Sequence, residues 1–427
     1  MQVSGTKNSY LNSFRLIRRD AGLSLITQAS LGFSYFGIYA VIFNLYLLRL
    51  GYGLRYISSV NASGQLVFAI SSLIIGLFSK RSGSRTGMVL GMGINLLAFC
   101  LLPLFKWNQI PFGEIWLMAV YSLSWLGLAL VIVHIIPFLI NTTSTTERGL
   151  VFGLVGAILS LSGFAGSLFG GLLPGYFAGK LGLTLNSPEP YRYTLMLTAI
   201  FIIPGLIAMI GTSEQGTENQ IKTNPGTESK IPLGLIILFT LVMLLMRTGE
   251  GSVRTFFNVY LDTALNESTS LIAFLSGAGQ LLAIPAALAT PWLIKVLNLR
   301  RTLLLGIFGM ACSLLPLAFI PKWQAAGLGF LGMMALTSFA VPAFGIYHQE
   351  NLPLKWRTVM SGTATMAVGL SWALISFGGG FIISKFSYPI FFMTAIICTV
   401  CGGLIFWITS LRFDTKPIVK QEIGLKK

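Results

Sequence analysis

Arg247, Glu250 and Arg254 are the residues of this sequence best placed to do chemistry, in the segment MRTGEGSVRT that starts at Met246. Spacings of three and four residues put all three within a stripe about 60° wide on one face of an α-helix. The stripe lies in a long apolar run, 232–261. At the centre of a bilayer each such charge costs about 2.5–3.5 kcal/mol, so the three must face protein or a watery cavity, with Glu250 paired to one or both arginines. Three chemistries fit. Glu250 could carry a proton, protonated in one state and paired in another. An arginine could bind an anionic group of a substrate through its planar fork, with Glu250 holding it when the site is empty. The pair could also be a gate that breaks during a cycle. The plain alternative is an ion pair that locks this helix to a neighbour.

Other polar residues inside apolar runs are candidates to line a cavity: Gln28, Tyr35 and Tyr39 in the first run, Asn61 and Gln65 one turn apart in the second, His134 in the fourth, Gln280 in the eighth and Trp372 in the eleventh. His134 has a packing role as its alternative. His348 and Glu350, at the end of the tenth run, read as a loop or gate contact. Cys398 and Cys401 form a CxxC on one helical face, but the sequence has only two histidines. With so few ligands at hand these cysteines read as small packing residues, and neither a metal site nor a cofactor is expected.

The elements that must position these residues are membrane helices. Of 427 residues 54% are hydrophobic and 10% charged, and the mean hydropathy is +0.78. Soluble chains carry about 25% charged residues, so this one lacks the means to clothe a water-facing surface. Twelve apolar runs of spanning length follow one another, from 23–48 to 388–411, each long enough to cross a hydrocarbon core about 30 Å thick. The first run is too long for the apolar core of a signal peptide and is expected to be retained. The net charge of +16 sits in short clusters between the runs, a pattern of topology signals rather than of a nucleic-acid stripe. With a cytoplasmic N-terminus, 20 lysines and arginines fall in cytoplasmic segments and 7 in outer ones, Arg247 and Arg254 being inside a helix. Both termini are therefore expected in the cytoplasm.

The chain also repeats itself. Phe43-Asn44-Leu45-Tyr46-Leu47 recurs as Phe257-Asn258-Val259-Tyr260-Leu261, Gly64-Gln65-Leu66 as Gly279-Gln280-Leu281, and Leu102-Pro103-Leu104 as Leu315-Pro316-Leu317, at offsets of 213 to 215. Pro137, Arg148 and Gly170-Gly171 match Pro342, Arg357 and Gly379-Gly380 at offsets of 205 to 209. An even number of helices per repeat gives both halves the same orientation. The expected division is a six-helix bundle over 1–212, a polar linker over 213–231 and a second six-helix bundle with a short tail over 232–427. Because Asn44 and Asn258 are duplicated, they read as hydrogen-bond glue between helices rather than as substrate contacts. The charged stripe has no mate: its counterparts at offset 214 are Phe33, Phe36 and Ala40. It belongs to one repeat only, which points to function.

Two such repeats with a central linker resemble the major facilitator superfamily of secondary transporters, over nearly the whole chain. The loop Gly76-Leu77-Phe78-Ser79-Lys80-Arg81-Ser82-Gly83-Ser84-Arg85 is similar to the family pattern G-x-x-x-D-R-x-G-R-R. It keeps Gly76, Arg81, Gly83 and Arg85, and has Lys80 where the family has Asp. The resemblance implies a conformational loop here, without the part played by that Asp. Ser162-Gly163-Phe164-Ala165-Gly166-Ser167-Leu168-Phe169-Gly170-Gly171 looks like the family's antiporter motif G-x-x-x-G-P-x-x-G-G. Gly166, Gly170 and Gly171 are retained and Ser167 replaces the proline.

The expectation is an all-α, polytopic protein of twelve helices in two parallel repeats, resident in the cytoplasmic membrane. Its expected activity is alternating-access transport, by export, of a small amphipathic or anionic molecule such as a drug-like compound or a secreted metabolite of the siderophore kind. A proton-coupled importer of a polar solute is the alternative. A non-transporting receptor on the same fold is a second, with little room for it in the short tails. The expected partners are the small molecule, the lipid bilayer and protons as a candidate coupling ion; no nucleic acid is expected, and the protein is read as a monomer. Scarce intramembrane carboxylates and two distant histidines argue against an enzyme, and no Walker motif offers ATP as the direct energy source.

Overall fold

The structure, a computed structural model, describes residues 18–78, 83–104, 112–143, 145–213 and 233–414. Twelve helices are long and apolar enough to cross a membrane. They are α1 (Arg19–Arg49), α2 (Leu54–Phe78), α3 (Ser84–Leu104), α4 (Gly113–Thr142), α5 (Thr145–Leu181), α6 (Glu189–Ile210), α7 (Leu233–Thr263), α8 (Thr269–Leu288), α9 (Leu299–Phe319), α10 (Trp323–Glu350), α11 (Leu354–Lys385) and α12 (Tyr388–Asp414). A short helix, Thr290–Leu297, continues the line of α8. Helices suit such a chain because each satisfies its backbone polar groups internally, where lipid offers no partner. Apolar side chains such as Ile70, Leu90, Ile207 and Leu328 are exposed on the outside of the bundle, the surface that lipid would cover.

The first six helices pack among themselves, with α2 and α3 on α4 and with α1 on α5 and α6. The last six do the same, with α9 on α10 and α12 and with α8 on α10. The halves meet chiefly along α2 against α11 and α5 against α8. The face at which α1 begins is called proximal below, and the face at which it ends distal. Most of the expected linker, 214–231, lies outside the described residues.

Two helices are irregular where the sequence reading had them continuous. In α1 the turn is loosened into a π-helix over Gly32–Tyr39. α7 is locally irregular at Arg247, between helical segments Leu233–Met246 and Thr248–Thr263, although the i→i−4 bonds from Arg247 to Met243 and from Gly251 to Arg247 are kept. Arg247 is the offset-214 mate of Phe33, so both repeats are irregular at the same depth. Glycines accompany each site: Gly32 and Gly37 in α1, Gly249 and Gly251 in α7. A π turn leaves backbone carbonyls poorly served within their own helix, and other elements supply their partners here. Gly37 is also a point of close approach, since a Cβ there would lie 2.6 Å from the backbone of Gly166 in α5. Small residues of this kind let membrane helices pack backbone to backbone.

Candidate functional site

The charged stripe faces inward, and its pairs are the i,i+3 and i,i+4 neighbours of one helix face. Glu250 is fully buried and held from both sides. Its Oε1 accepts from Arg254 Nε at 2.6 Å, and its Oε2 pairs with Nη1 of Arg247. Arg247 is buried to 7% exposure, whereas the Arg254 side chain keeps 40%. Trp372 of α11 lies against both guanidiniums, its ring centroid 5.3 Å from Cζ of Arg247 and 5.4 Å from Cζ of Arg254. These are cation–π distances, favoured in a site shielded from water. Two guanidiniums and one carboxylate leave the cluster with a net charge of +1.

Arg254 projects into a cavity of about 370 Å³ between the two halves. It is the only charged residue that lines the cavity among the described residues. The first half contributes an aromatic wall. Phe43 and Tyr121 stack with centroids 4.5 Å apart and planes at 18°, Tyr39 lies 5.2 Å from Phe43, and Trp125 meets Trp372 edge-on at 6.3 Å. Tyr35, Phe36 and Phe68 extend this wall, and Phe330 faces it from the second half.

The sequence candidates separate into those that line the cavity and those that do not. Tyr35, Tyr39, Asn61, Gln65, Gln280 and Trp372 line it. Gln28 is buried in α1 but is not part of the lining. His134 is likewise outside it: its ring packs over Gly87 of α3, and Nδ1 donates to the carbonyl of Leu130 at 2.8 Å. Asn44 and Asn258, read from the sequence as glue, do bridge helices but also stand in the cavity wall. In the conformational loop, Lys80 and Arg81 lie outside the described residues; Arg85 donates from Nη2 to the carbonyl of Ile210 at 2.8 Å, tying α3 to α6. Of the loop's two glycines, Gly76 lies in the last turn of α2 and Gly83 directly follows the segment 79–82 that is not described. In α5, Gly166 and Gly170 pack on Phe33 and Ile38 of α1, and Gly171 on Ala273 of α8.

Polar side chains stitch the halves together at the cavity wall. Asn44 Nδ2 donates to the carbonyl of Thr255 (2.9 Å), and Asn258 Nδ2 to those of Ala40 and Val41 (3.2 Å each). Gln280 Nε2 donates to the carbonyl of Phe36 in the π segment at 2.9 Å and to Ser167 Oγ at 3.1 Å. Ser376 Oγ donates to Gln65 Oε1 at 2.7 Å.

A second cross-half contact escaped the sequence reading, which counted Arg49 only as an outer loop charge. At the distal face Arg49 makes a forked pair with Asp262, 2.8 and 2.6 Å, and its Nε donates to the carbonyl of Leu185 at 2.8 Å. Its guanidinium also lies 5.4 Å from the ring centroid of Tyr191, whose hydroxyl meets Thr269 Oγ1 at 3.1 Å. The available signal was Asp262 itself, one of only 13 acidic residues and placed at the end of a spanning run.

Two six-helix halves around a central, largely aromatic cavity are the architecture of a membrane transporter fold. The model of the Major Facilitator Superfamily matches residues 24–376, and the chain belongs to that superfamily. Among solved structures the chain is similar to the peptide transporter POT in complex with sulfate, at 15% identity, over 92% of this chain and 94% of that one, with a TM-score of 0.70. It is also similar to a bacterial homologue of the human lysosomal transporter Spinster in an inward-facing, unoccupied conformation, at 13% identity, over 96% and 99% of the two chains, TM-score 0.67. For the nucleoside transporter NupG the values are 12% identity, 91% and 98%, and 0.65. At these identities the likeness is one of fold. No curated protein matches the sequence.

Proposed function

We propose that this protein is a secondary active transporter that moves a small amphipathic anion across the membrane by alternating access, with Arg254 as the ligand for the anionic group. One observation carries the reading: among the described residues the cavity wall holds a single charged side chain, it is a guanidinium, and its cluster has a net positive charge. A buried excess charge is costly unless something neutralises it, and a bound anion does so. Glu250 is then the internal counter-ion, holding Arg254 in place while the site is empty. The two bundles, 1–212 and 232–427, would move against each other about the cavity. The fold neighbours include a nucleoside transporter and a peptide transporter, which supports small-molecule cargo.

The proposed direction is export from the cytoplasm. The charge bias between loops supports a cytoplasmic proximal face. Cross-half bonds on the distal face, Arg49 with Asp262 and Tyr191 with Thr269, would have to part for release on that side. The glycine-rich packing of α5 on α1, resembling an antiporter motif, supports the same direction.

The test is the balance of organic anions between cells and medium, with and without the protein. Export lowers the internal pool of the cargo and raises it in the medium. The reverse sign identifies an importer, and a neutral or cationic cargo overturns the assignment of Arg254.

A further inference from the structure

The cavity can be read by subtraction. Most polar groups in its wall are already committed within the protein. Asn44, Asn258, Gln65 and Gln280 bridge the halves, and Asn61 Nδ2 donates to Asn44 Oδ1 at 2.8 Å. The hydroxyl of Tyr121 donates to Asn61 Oδ1 at 2.9 Å, and that of Tyr39 shares a 3.3 Å bond with Ser124. Ser338 Oγ donates to the carbonyl of Met334 at 2.7 Å.

Two kinds of recognition chemistry remain. One is Arg254: its Nε is taken by Glu250, while its Nη groups have no protein partner among the described residues. Those two donors form the side of the fork that grips a carboxylate or another planar oxyanion. The other is aromatic surface. With their hydroxyls engaged, Tyr39 and Tyr121 offer a ligand their rings, and Phe43 and Phe68 offer nothing else; Tyr35 and Trp125 add to their rings one hydroxyl and one indole N–H that have no protein partner among the described residues. Ring and cation are neighbours, because Trp372 beneath Arg254 also touches Trp125 of the opposite half.

Resting on the reading of Arg254 as the anion ligand, we infer that the cavity selects a planar aromatic anion, its charged group on Arg254 and its ring against the aromatic wall. A polyhydroxylated solute would find few free partners here. An aromatic ring gains from offset and edge contacts beyond what its area alone provides, and a cavity of about 370 Å³ is within the range of small-molecule sites. The ligand would bridge the halves, the second holding its charge and the first its ring.

The experiment uses the full chain purified into lipid nanodiscs and measures binding by calorimetry. The probes are 2-naphthoate, its saturated counterpart decahydro-2-naphthoate, and 2-naphthylmethylammonium. We expect 2-naphthoate to bind, the saturated acid to bind roughly tenfold more weakly, and the ammonium compound not to bind. Arg254→Gln should abolish naphthoate binding, and Trp125→Leu should narrow the gap between the two acids. Equal affinity for the two acids overturns the aromatic inference and leaves the anion reading standing. Preference for the ammonium compound, or wild-type affinity in Arg254→Gln, overturns both. Absence of binding by all three probes overturns the inference. The comparison of the two acids needs only wild-type protein, so it holds even where a variant fails to fold.

Discussion

Asn44 and Asn258 reach across the molecule in opposite directions to equivalent atoms: Asn44 donates to the carbonyl of Thr255, and Asn258 to that of Val41. Donors and acceptors alike are related by the offset of 214 that relates the repeats. The same reciprocity holds one layer away, where Gln65 bonds Ser376 and Gln280 bonds Ser167, the two serines being mates at offset 209. The duplication seen in the sequence is thus a working pseudo-two-fold seam between the halves.

Breaking one side of that seam should resemble breaking the other. Asn44→Ala and Asn258→Ala each leave a buried carbonyl short of its donor, at about 1–3 kcal/mol. Each should shift the equilibrium toward distal opening by a similar amount. Spin labels at Thr184→Cys and Lys385→Cys, in the two distal connections, would read this as growth of a long-distance population. Unchanged distances in both variants would show that the seam does not hold this face closed.

The Arg49–Asp262 fork should act on the same equilibrium from the distal edge. Bonds between charged groups contribute about 1.5–3 kcal/mol, reduced here because Arg49 keeps 18% side-chain exposure. Arg49→Gln and Asp262→Asn are expected to open the distal face to similar extents. The double exchange Arg49→Asp with Asp262→Arg should recover part of the closed population in the same spin-label measurement. Failure of the exchange to recover any would mean that the partners Leu185 and Tyr191, not the charge pair, define the contact.

Removing the shared carboxylate of the stripe should be worse than removing an arginine with it. Glu250→Gln leaves the buried guanidinium of Arg247 and the part-exposed one of Arg254 with no counter-ion, a loss of up to about 3 kcal/mol once the exposure of Arg254 is allowed for. Adding Arg247→Gln lowers the excess charge again. Thermal unfolding in detergent should therefore rank wild type above the double variant, and the double variant above Glu250→Gln alone. Flux measured with and without a pH gradient gives the complementary readout. A response to the gradient that disappears in Glu250→Gln would make Glu250 a proton carrier rather than a counter-ion.

Gly369 of α11 is a point of close approach between the halves along α2. A Cβ there would lie 2.8 Å from the Cβ of Ala69 and 2.9 Å from its backbone, so the neighbour that must yield is main chain. Gly369→Val is expected to cost about 1–3 kcal/mol and to lower the thermal midpoint. Gly153→Ala in α5, where nothing lies within 4 Å of the added atom, should instead be neutral or stabilising by about 0.5–1 kcal/mol.

The helices and the inward-facing charged stripe were legible in the sequence because both follow from one rule, that lipid tolerates neither open backbone nor bare charge. What was not legible depends on partners far apart in the chain. The π segment of α1 is marked by no local motif; the carbonyl of Phe36 within it is met by Gln280, 244 residues away. The pairing of Arg49 with Asp262 spans 213 residues and looks, locally, like two ordinary loop charges. His134 shows the converse: a polar residue in an apolar run whose Nδ1 bonds within its own helix at Leu130, which residue type alone does not reveal.

The measurement that tests the central claim most directly is the flux of the native cargo through Arg254 variants, in cells lacking the protein and complemented with wild type, Arg254→Lys or Arg254→Gln. Small-molecule profiling of cells and medium would identify the cargo by its response to wild type. The account predicts an organic anion whose movement is lost in Arg254→Gln and partly retained in Arg254→Lys, which keeps the charge without the fork. A cargo without negative charge, or full transport by Arg254→Gln, would contradict it.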